Sequence, residues 1–125
     1  MIAADTSAIL HFLHGFDGPS RLAVRHALQA EQLVLPPVVL TELLSAPSPE
    51  ADLEPLLKAA PLLPVIDGFW ERAALNRRAL LAQGFKARLA DALIAQSCID
   101  AGTPLISGDA GFRHFVAHCG LTLKP

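Results

Sequence analysis

Met1-Ile2-Ala3-Ala4-Asp5-Thr6-Ser7-Ala8-Ile9 opens the chain with an apolar run that stops at a carboxylate, followed at once by two residues of the helix N-cap type. The run is too short for a helix, and it feeds a stretch in which Ala8, Ile9, Phe12 and Leu13 recur at helical spacing until Gly15 and Gly18-Pro19. It therefore reads as a buried strand passing into a helix. Related units follow. A second helix is predicted over residues 20–30, a buried strand over 32–36, and a helix over 37–44 in which Pro37 takes an allowed early position. After a loop over 45–49 come a short helix over 52–60 and a strand over 62–66, which Pro64 confines to a sheet edge because it cannot donate to a central ladder. Helices are predicted over 68–83, with Phe69, Trp70, Ala73, Leu80 and Leu81 as apolar positions, and over 88–101. The chain then reads as a strand over 104–107, a turn at Gly108-Asp109, a short helix through Phe115 and a last strand over 121–123.

Strands thus alternate with helices from end to end, without repeat, linker or low-complexity tract. Such alternation predicts an α/β domain with a parallel sheet covered by helices on both faces. In open sheets of this kind ligands bind beyond the carboxyl ends of the strands. Asp5 and Asp109 both fall there, each just after a short apolar strand.

The 125 residues are 52% hydrophobic and 18% charged, enough for one core and too few for two ordinary domains. The same numbers exclude disorder. The longest uncharged run, residues 6–16, is well short of the roughly 18 residues a membrane span needs. Asp5 also interrupts the apolar opening before a secretory h-region could form, so a cytoplasmic location is expected. Cys98 and Cys119 read as small buried hydrophobes rather than a disulfide. A net charge of −2 and a pI near 6.2 argue against holding duplex DNA by net charge alone. The charge is nevertheless two-sided. Residues 71–90 carry Arg72, Arg77, Arg78, Lys86 and Arg88 against Glu71, a net of +4 that leaves −6 on the remainder. A solvated helix face explains such a run at least as well as a polyanion-binding patch.

Two further acids, Glu42 and Asp91, are single charges inside apolar stretches. Each of the four has an ordinary reading on its own: Asp5 as an N-cap, Glu42 as a solvated helix position, Asp91 as a first-turn acid facing the helix dipole, Asp109 as a turn residue. The set argues otherwise. Gathered at the strand ends, adjacent carboxylates about 4 Å apart repel by roughly 4 kcal/mol at an effective dielectric of 20. A divalent cation removes that conflict, and an all-oxygen set suits a hard ion such as Mg²⁺ or Mn²⁺. Carboxylates on such an ion leave positions for water and a phosphate oxygen, as metal-assisted phosphodiester hydrolysis requires.

Asp5-Thr6-Ser7, Thr41-Glu42-Leu43, residues 89–95 (Leu-Ala-Asp-Ala-Leu-Ile-Ala) and residues 105–112 (Leu-Ile-Ser-Gly-Asp-Ala-Gly-Phe), in that order and spacing, resemble the PIN-domain nucleases and, more narrowly, the VapC toxins of type II toxin–antitoxin systems. The resemblance spans nearly the whole chain. It implies a single PIN domain over residues 1–125, an α/β three-layer sandwich with a five-stranded parallel sheet flanked by helices. It further implies a Mg²⁺- or Mn²⁺-dependent endoribonuclease whose catalytic acids map onto Asp5, Glu42, Asp91 and Asp109, with Asp5, Asp91 and Asp109 as metal ligands. Ser107 and Thr6 become supporting hydroxyl residues beside the acids. Arg72, Arg77, Arg78, Lys86 and Arg88 become candidate RNA contacts that offset the acidic pocket. The implied partners are the RNA substrate, a VapB-type antitoxin and a second copy of the chain in a homodimer. Relatives commonly carry a further acid two residues after the fourth, where this chain has Gly111, so one metal site is better supported than two.

Two alternatives compete. A PIN nuclease of RNA maturation would use the same four acids, and a noncatalytic α/β regulatory module would not need them. A phosphoacceptor receiver lacks its acid pair at strand one, and a haloacid-dehalogenase-type phosphatase lacks its second Asp, since Ser7 stands there. The His114-x-x-x-His118-Cys119 spacing could suggest zinc, but no fourth ligand accompanies it, and a terminal helix with solvated or core imidazoles is the stronger reading. His11 and His14 read likewise, and Trp70 reads as part of its helix's apolar face. Residues 38–44 leave room for an apolar groove that could accept a partner, although a buried core accounts for them equally.

Overall fold

The structure, a computed structural model, describes residues 1–124. Its centre is β1 (Ile2–Ala4), which pairs in parallel with β2 (Leu33–Val34) on one side and β3 (Leu105–Ile106) on the other. The register sets Ile2 beside Leu33 and Ala4 beside Ile106. Ala3 and Ala4 are wholly buried, as a strand covered on both faces requires.

Between β1 and β2 lie α1 (Thr6–His14) and α2 (Pro19–Gln29), which pack on each other; α3 (Pro37–Leu44) and α4 (Leu53–Ala59) follow β2. Next come α5 (Phe69–Ala82) and α6 (Leu89–Ala101), an antiparallel pair, then β3, a 3-10 turn at Ala110–Phe112, and α7 (Arg113–Cys119). The chain moves one way across the sheet from β1 to β2 and the other way to reach β3. Right-handed crossovers therefore place the helices that follow β1 and those that precede β3 on opposite faces. The crevice between the ends of β1 and β3 is a topological switch point.

Among the described residues three strands form the sheet, not the five that the resemblance implied. The two missing strands survive as single parallel bridges, Leu35 to Leu62 and Leu105 to Leu123. On the first edge Leu35 N–H donates to Pro61 O and Leu63 N–H to Leu35 O, both at 2.9 Å, and the ladder goes no further because the next donors on either side would come from positions 61 and 37, where Pro61 and Pro37 have no N–H. On the second, Leu105 N–H donates to Thr122 O, and Lys124 N–H to Leu105 O. There β3 itself has only two residues before the chain turns away.

Trp70 is also placed differently: it is 58% exposed, and its neighbour Phe69 takes the buried position. Helix α6 is buried on several sides because α3, α5 and α7 all touch it. This accounts for buried Gln96 and Ser97 in its middle. Gln96 is satisfied by a network across α5: Asn76 donates to its Oε1, its Nε2 donates to Asp100 Oδ1 at 2.8 Å, and Arg72 clasps both oxygens of Asp100. Cys98 is buried, Cys119 half-buried, and both are free; burial pushes the Cys98 thiol up to about 12.

The Arg72 guanidinium holds the Asp100 carboxyl below its usual range. A depressed folded-state value means stability that is present above the unfolded value, about 3.9, and lost as the pH falls through the folded one. Asp100→Asn is expected to melt about 5 °C below the wild type at pH 7, with the gap closing below about pH 4. Thermal melts across that range check it; a constant gap would show that charge is not the cause.

Candidate active site

Asp5 follows β1, and its N–H still continues the sheet by donating to Ile106 O. Its Oδ1 caps α1 by accepting from Ala8 N–H at 2.8 Å, so the local reading as an N-cap holds while the other oxygen stays available. That oxygen accepts from Ser107 Oγ, just past β3, and Ser7 Oγ lies 2.9 Å from both carboxylate oxygens. Ser107 Oγ in turn accepts from Asp109 N–H at 2.9 Å. One hydroxyl thereby ties the loop carrying the fourth acid to the first. Asp109 Oδ1 accepts from Gly111 N–H and closes the 3-10 turn.

Asp91 sits in the first turn of α6 with its side chain 13% exposed. Burial pushes its carboxyl up, the charge of Asp109 adds to this, Arg88 opposes it, and Asp5 and Glu42 add smaller contributions. Asp5 is raised first by burial, against the hydrogen bonds it accepts, with Asp109 adding repulsion. Glu42 is exposed on α3 and reaches the group through α1, where Thr6 Oγ1 donates to its Oε1 at 2.7 Å. The structure therefore brings Asp5, Asp91, Asp109 and Glu42 within electrostatic reach at the switch point.

Arg88 faces two of these acids loosely, 3.9 Å from Asp91 and 4.0 Å from Asp109, with its own side chain 74% exposed. Arg72 lies elsewhere, since Asp100 is nine residues beyond Asp91, roughly 13 Å along α6. Arg77 donates to Ala87 O and fastens the loop before α6. Lys86 and Arg78 are exposed and make no ion pair among the described residues.

Among the described residues no three acidic, imidazole or thiol groups form a ready-made coordination shell. The donor chemistry nonetheless fits a hard divalent cation: oxygen donors only, mutually repelling, with one loosely held arginine as the nearby opposite charge. Gly111 lies close against two of these acids: a Cβ there would lie 3.1 Å from Asp91 Oδ2 and 3.2 Å from Asp109 Oδ1, tighter than ordinary contact.

Sequence reasoning missed Ser7, whose proximity to Asp5 was signalled only by the i, i+2 spacing, and the Phe85, Arg113 and His114 side chains beside Gly111. It also missed His11, whose ring lies against Gly108 between Ser107 and Asp109. A cleft of about 660 Å³ lined by Trp70, Leu81, Leu89 and Leu93 is mainly apolar and lies along α5 and α6, whereas a smaller one adjoins the acids.

The PIN domain family model matches residues 2–117, and the chain belongs to that family. PIN domains are nucleases and generally use divalent metal ions. No curated protein matches the chain in sequence. Among solved structures, VapBC2 from Rickettsia felis bound to a DNA fragment from their promoter is similar in fold, with a TM-score of 0.78, 17% identity and coverage of 99% of this chain and 98% of that one. No helix among the described residues is long and apolar enough to cross a membrane.

Proposed function

We propose that this protein is a metal-dependent endoribonuclease, the toxin of a VapBC-type pair, kept inactive by a VapB-type antitoxin and assembled as a homodimer. The observation that carries the reading is the set of four carboxylates at the β1/β3 switch point, two of them, Asp5 and Asp91, raised by burial and by the charge of Asp109. The likeness to VapBC2 supports the narrower assignment through the fold.

Asp5, Asp91 and Asp109 are the residues that would hold a divalent cation. When bound, Mg²⁺ or Mn²⁺ supplies charge at a phosphoryl oxygen and lowers the pKa of a water. Ser107 fixes the orientation of Asp5 and the loop of Asp109 together, and Thr6 holds Glu42 toward the group. Arg88, exposed and close to both Asp91 and Asp109, is placed to meet RNA phosphate as the acids lose their mutual repulsion. With Arg78 and Lys86 it forms the basic approach; Arg77 borders it and Arg72 is engaged elsewhere.

Incubation of purified, antitoxin-free protein with total cellular RNA tests this. Discrete fragments bearing 5′ phosphates are expected with Mg²⁺ or Mn²⁺, lost in EDTA and in a folded Asp91→Asn variant. A Mn²⁺-dependent rise in melting temperature is expected in the wild type and not in that variant, since a ligand at 100 times its Kd stabilises by about 2.7 kcal/mol. Cleavage that persists in the folded variant would sink the site assignment, and inactivity with every metal would sink the nuclease reading.

A further inference from the structure

The loop between α5 and α6, residues 83–88, is held rigidly for a surface connection. Phe85 N–H donates to Leu80 O, Ala87 is buried, and Arg77 grips the Ala87 carbonyl at 2.8 Å. This fixes the Phe85 ring, which lies flat on His114 of α7 with centroids 4.1 Å apart and planes 6° apart, and 5.3 Å from His118. Between this loop and the 3-10 turn with the start of α7 is a cleft of about 510 Å³ lined by Gly84, Phe85, Lys86, Gly111, Arg113 and His114. That volume is within the range of ordinary small-ligand sites.

Gly111 belongs to both places: it lines the cleft and lies against the oxygens of Asp91 and Asp109. The cleft thus borders the acids but has the opposite character. Lys86 and Arg113 are exposed on its walls and have no acidic partner among the described residues, and Arg88 lies 3.9 Å from Asp91 and 4.0 Å from Asp109. Flat aromatic rings flanked by unpaired cations suit a planar base joined to a phosphate. A base paired in a duplex cannot reach such rings, whereas an unpaired one can leave its stack to meet them.

We propose that this cleft is a nucleobase subsite, which seats the unpaired nucleotide adjacent to the scissile phosphate with its base against the Phe85–His114 pair and its phosphate toward Lys86 and Arg113. The proposal rests on the nuclease reading above and adds where the RNA strand lies. It makes His114 and Arg113 determinants of substrate affinity, although neither touches the carboxylates.

The test is binding in EDTA of two fluorescent probes, a single-stranded oligouridylate octamer and an octamer of abasic ribose phosphate. Aromatic contacts with a base are worth about 5- to 150-fold in affinity. His114→Ala is expected to weaken the base-bearing probe by that factor and the abasic probe by less than about twofold, with His114→Phe restoring the difference. The exposed Arg113→Gln is expected to weaken both probes and flatten the salt dependence. Equal losses for both probes in folded His114→Ala, or no loss for either, would overturn the subsite while leaving the nuclease reading intact. Failure of the unaltered chain to bind or cleave any RNA would overturn both.

Discussion

Asp5→Asn is expected to reduce cleavage by about a thousandfold or more while the domain stays folded and melts no lower than the wild type. The activity loss follows from removing one charge from the site proposed to hold the cation, where several kcal/mol of charge stabilisation corresponds to about three decades in rate. The stability expectation follows from geometry. Asp5 is 3% exposed, so burial opposes its ionisation, and Asp109 repels it further. Asparagine preserves the acceptor for Ala8 N–H and can donate to Ser107 Oγ, so the α1 cap and the link to β3 survive. The pH dependence has a definite sign. A carboxyl raised in the folded state makes the wild type lose stability as pH rises from the unfolded value through the folded one, and the amide cannot. The melting gap in EDTA is therefore expected to open in the variant's favour above about pH 4. Single-turnover cleavage and melts at several pH values check both halves. Residual activity within tenfold, or a variant melting well below the wild type, would contradict this account.

Phe112→Ala is expected to cost about 3–5 kcal/mol, a large share of the 5–15 kcal/mol typical of a domain, and to lower the melting temperature by about 10–20 °C. Phe112 is 1% exposed, ends the 3-10 turn that Asp109 caps, and meets Phe115 with centroids 6.4 Å apart. Its ring anchors into the core the loop that carries the fourth acid. Loss of activity is therefore expected even at temperatures where the variant is folded, because Asp109 and Gly111 lose their fixed position. Val116→Ala, a change at an exposed position of α7, serves as the control and is expected to stay within about 0.5 kcal/mol. Equilibrium denaturation of both variants decides the matter. A loss below about 1 kcal/mol at Phe112 would show that the turn is not held by its ring.

Much of the fold was legible because its signals are local. Helix α3 has the bounds its periodicity indicated, α5 differs from expectation by one residue at each end, and α6 by one residue at its start. Gly102, in the left-handed region at φ 59°, ends α6 where its position in the sequence suggested. The four acids were legible as charges after strands or within apolar stretches, and the cap made by Asp5 and the turn at Asp109 were expected on purely local grounds, whereas the capping of the 3-10 turn by Asp109 was not. The strand count was not legible. A short apolar run states that it can be extended, but whether it gains a full ladder depends on which of its amides face a neighbour, and the prolines at positions 37 and 61 stand where the next two donors would be. Trp70 was misread for a related reason: adjacent aromatic residues cannot both face the same neighbour, and helical periodicity alone did not choose Phe69 as the buried one.

The sequence by itself determined the class of fold, an alternation of short buried strands and capped helices, and the chemical identity of the acids. These depend on propensity, periodicity and capping, which act over a few residues. Only the tertiary structure decided that Ser107 links Asp5 to the Asp109 loop across 102 positions, and that Arg72 belongs to Asp100 rather than to the basic approach. It alone placed Phe85, His114, Lys86 and Arg113 beside Gly111. Such contacts join residues remote in the chain, and no local pattern encodes a distance that exists only after the core has closed around it.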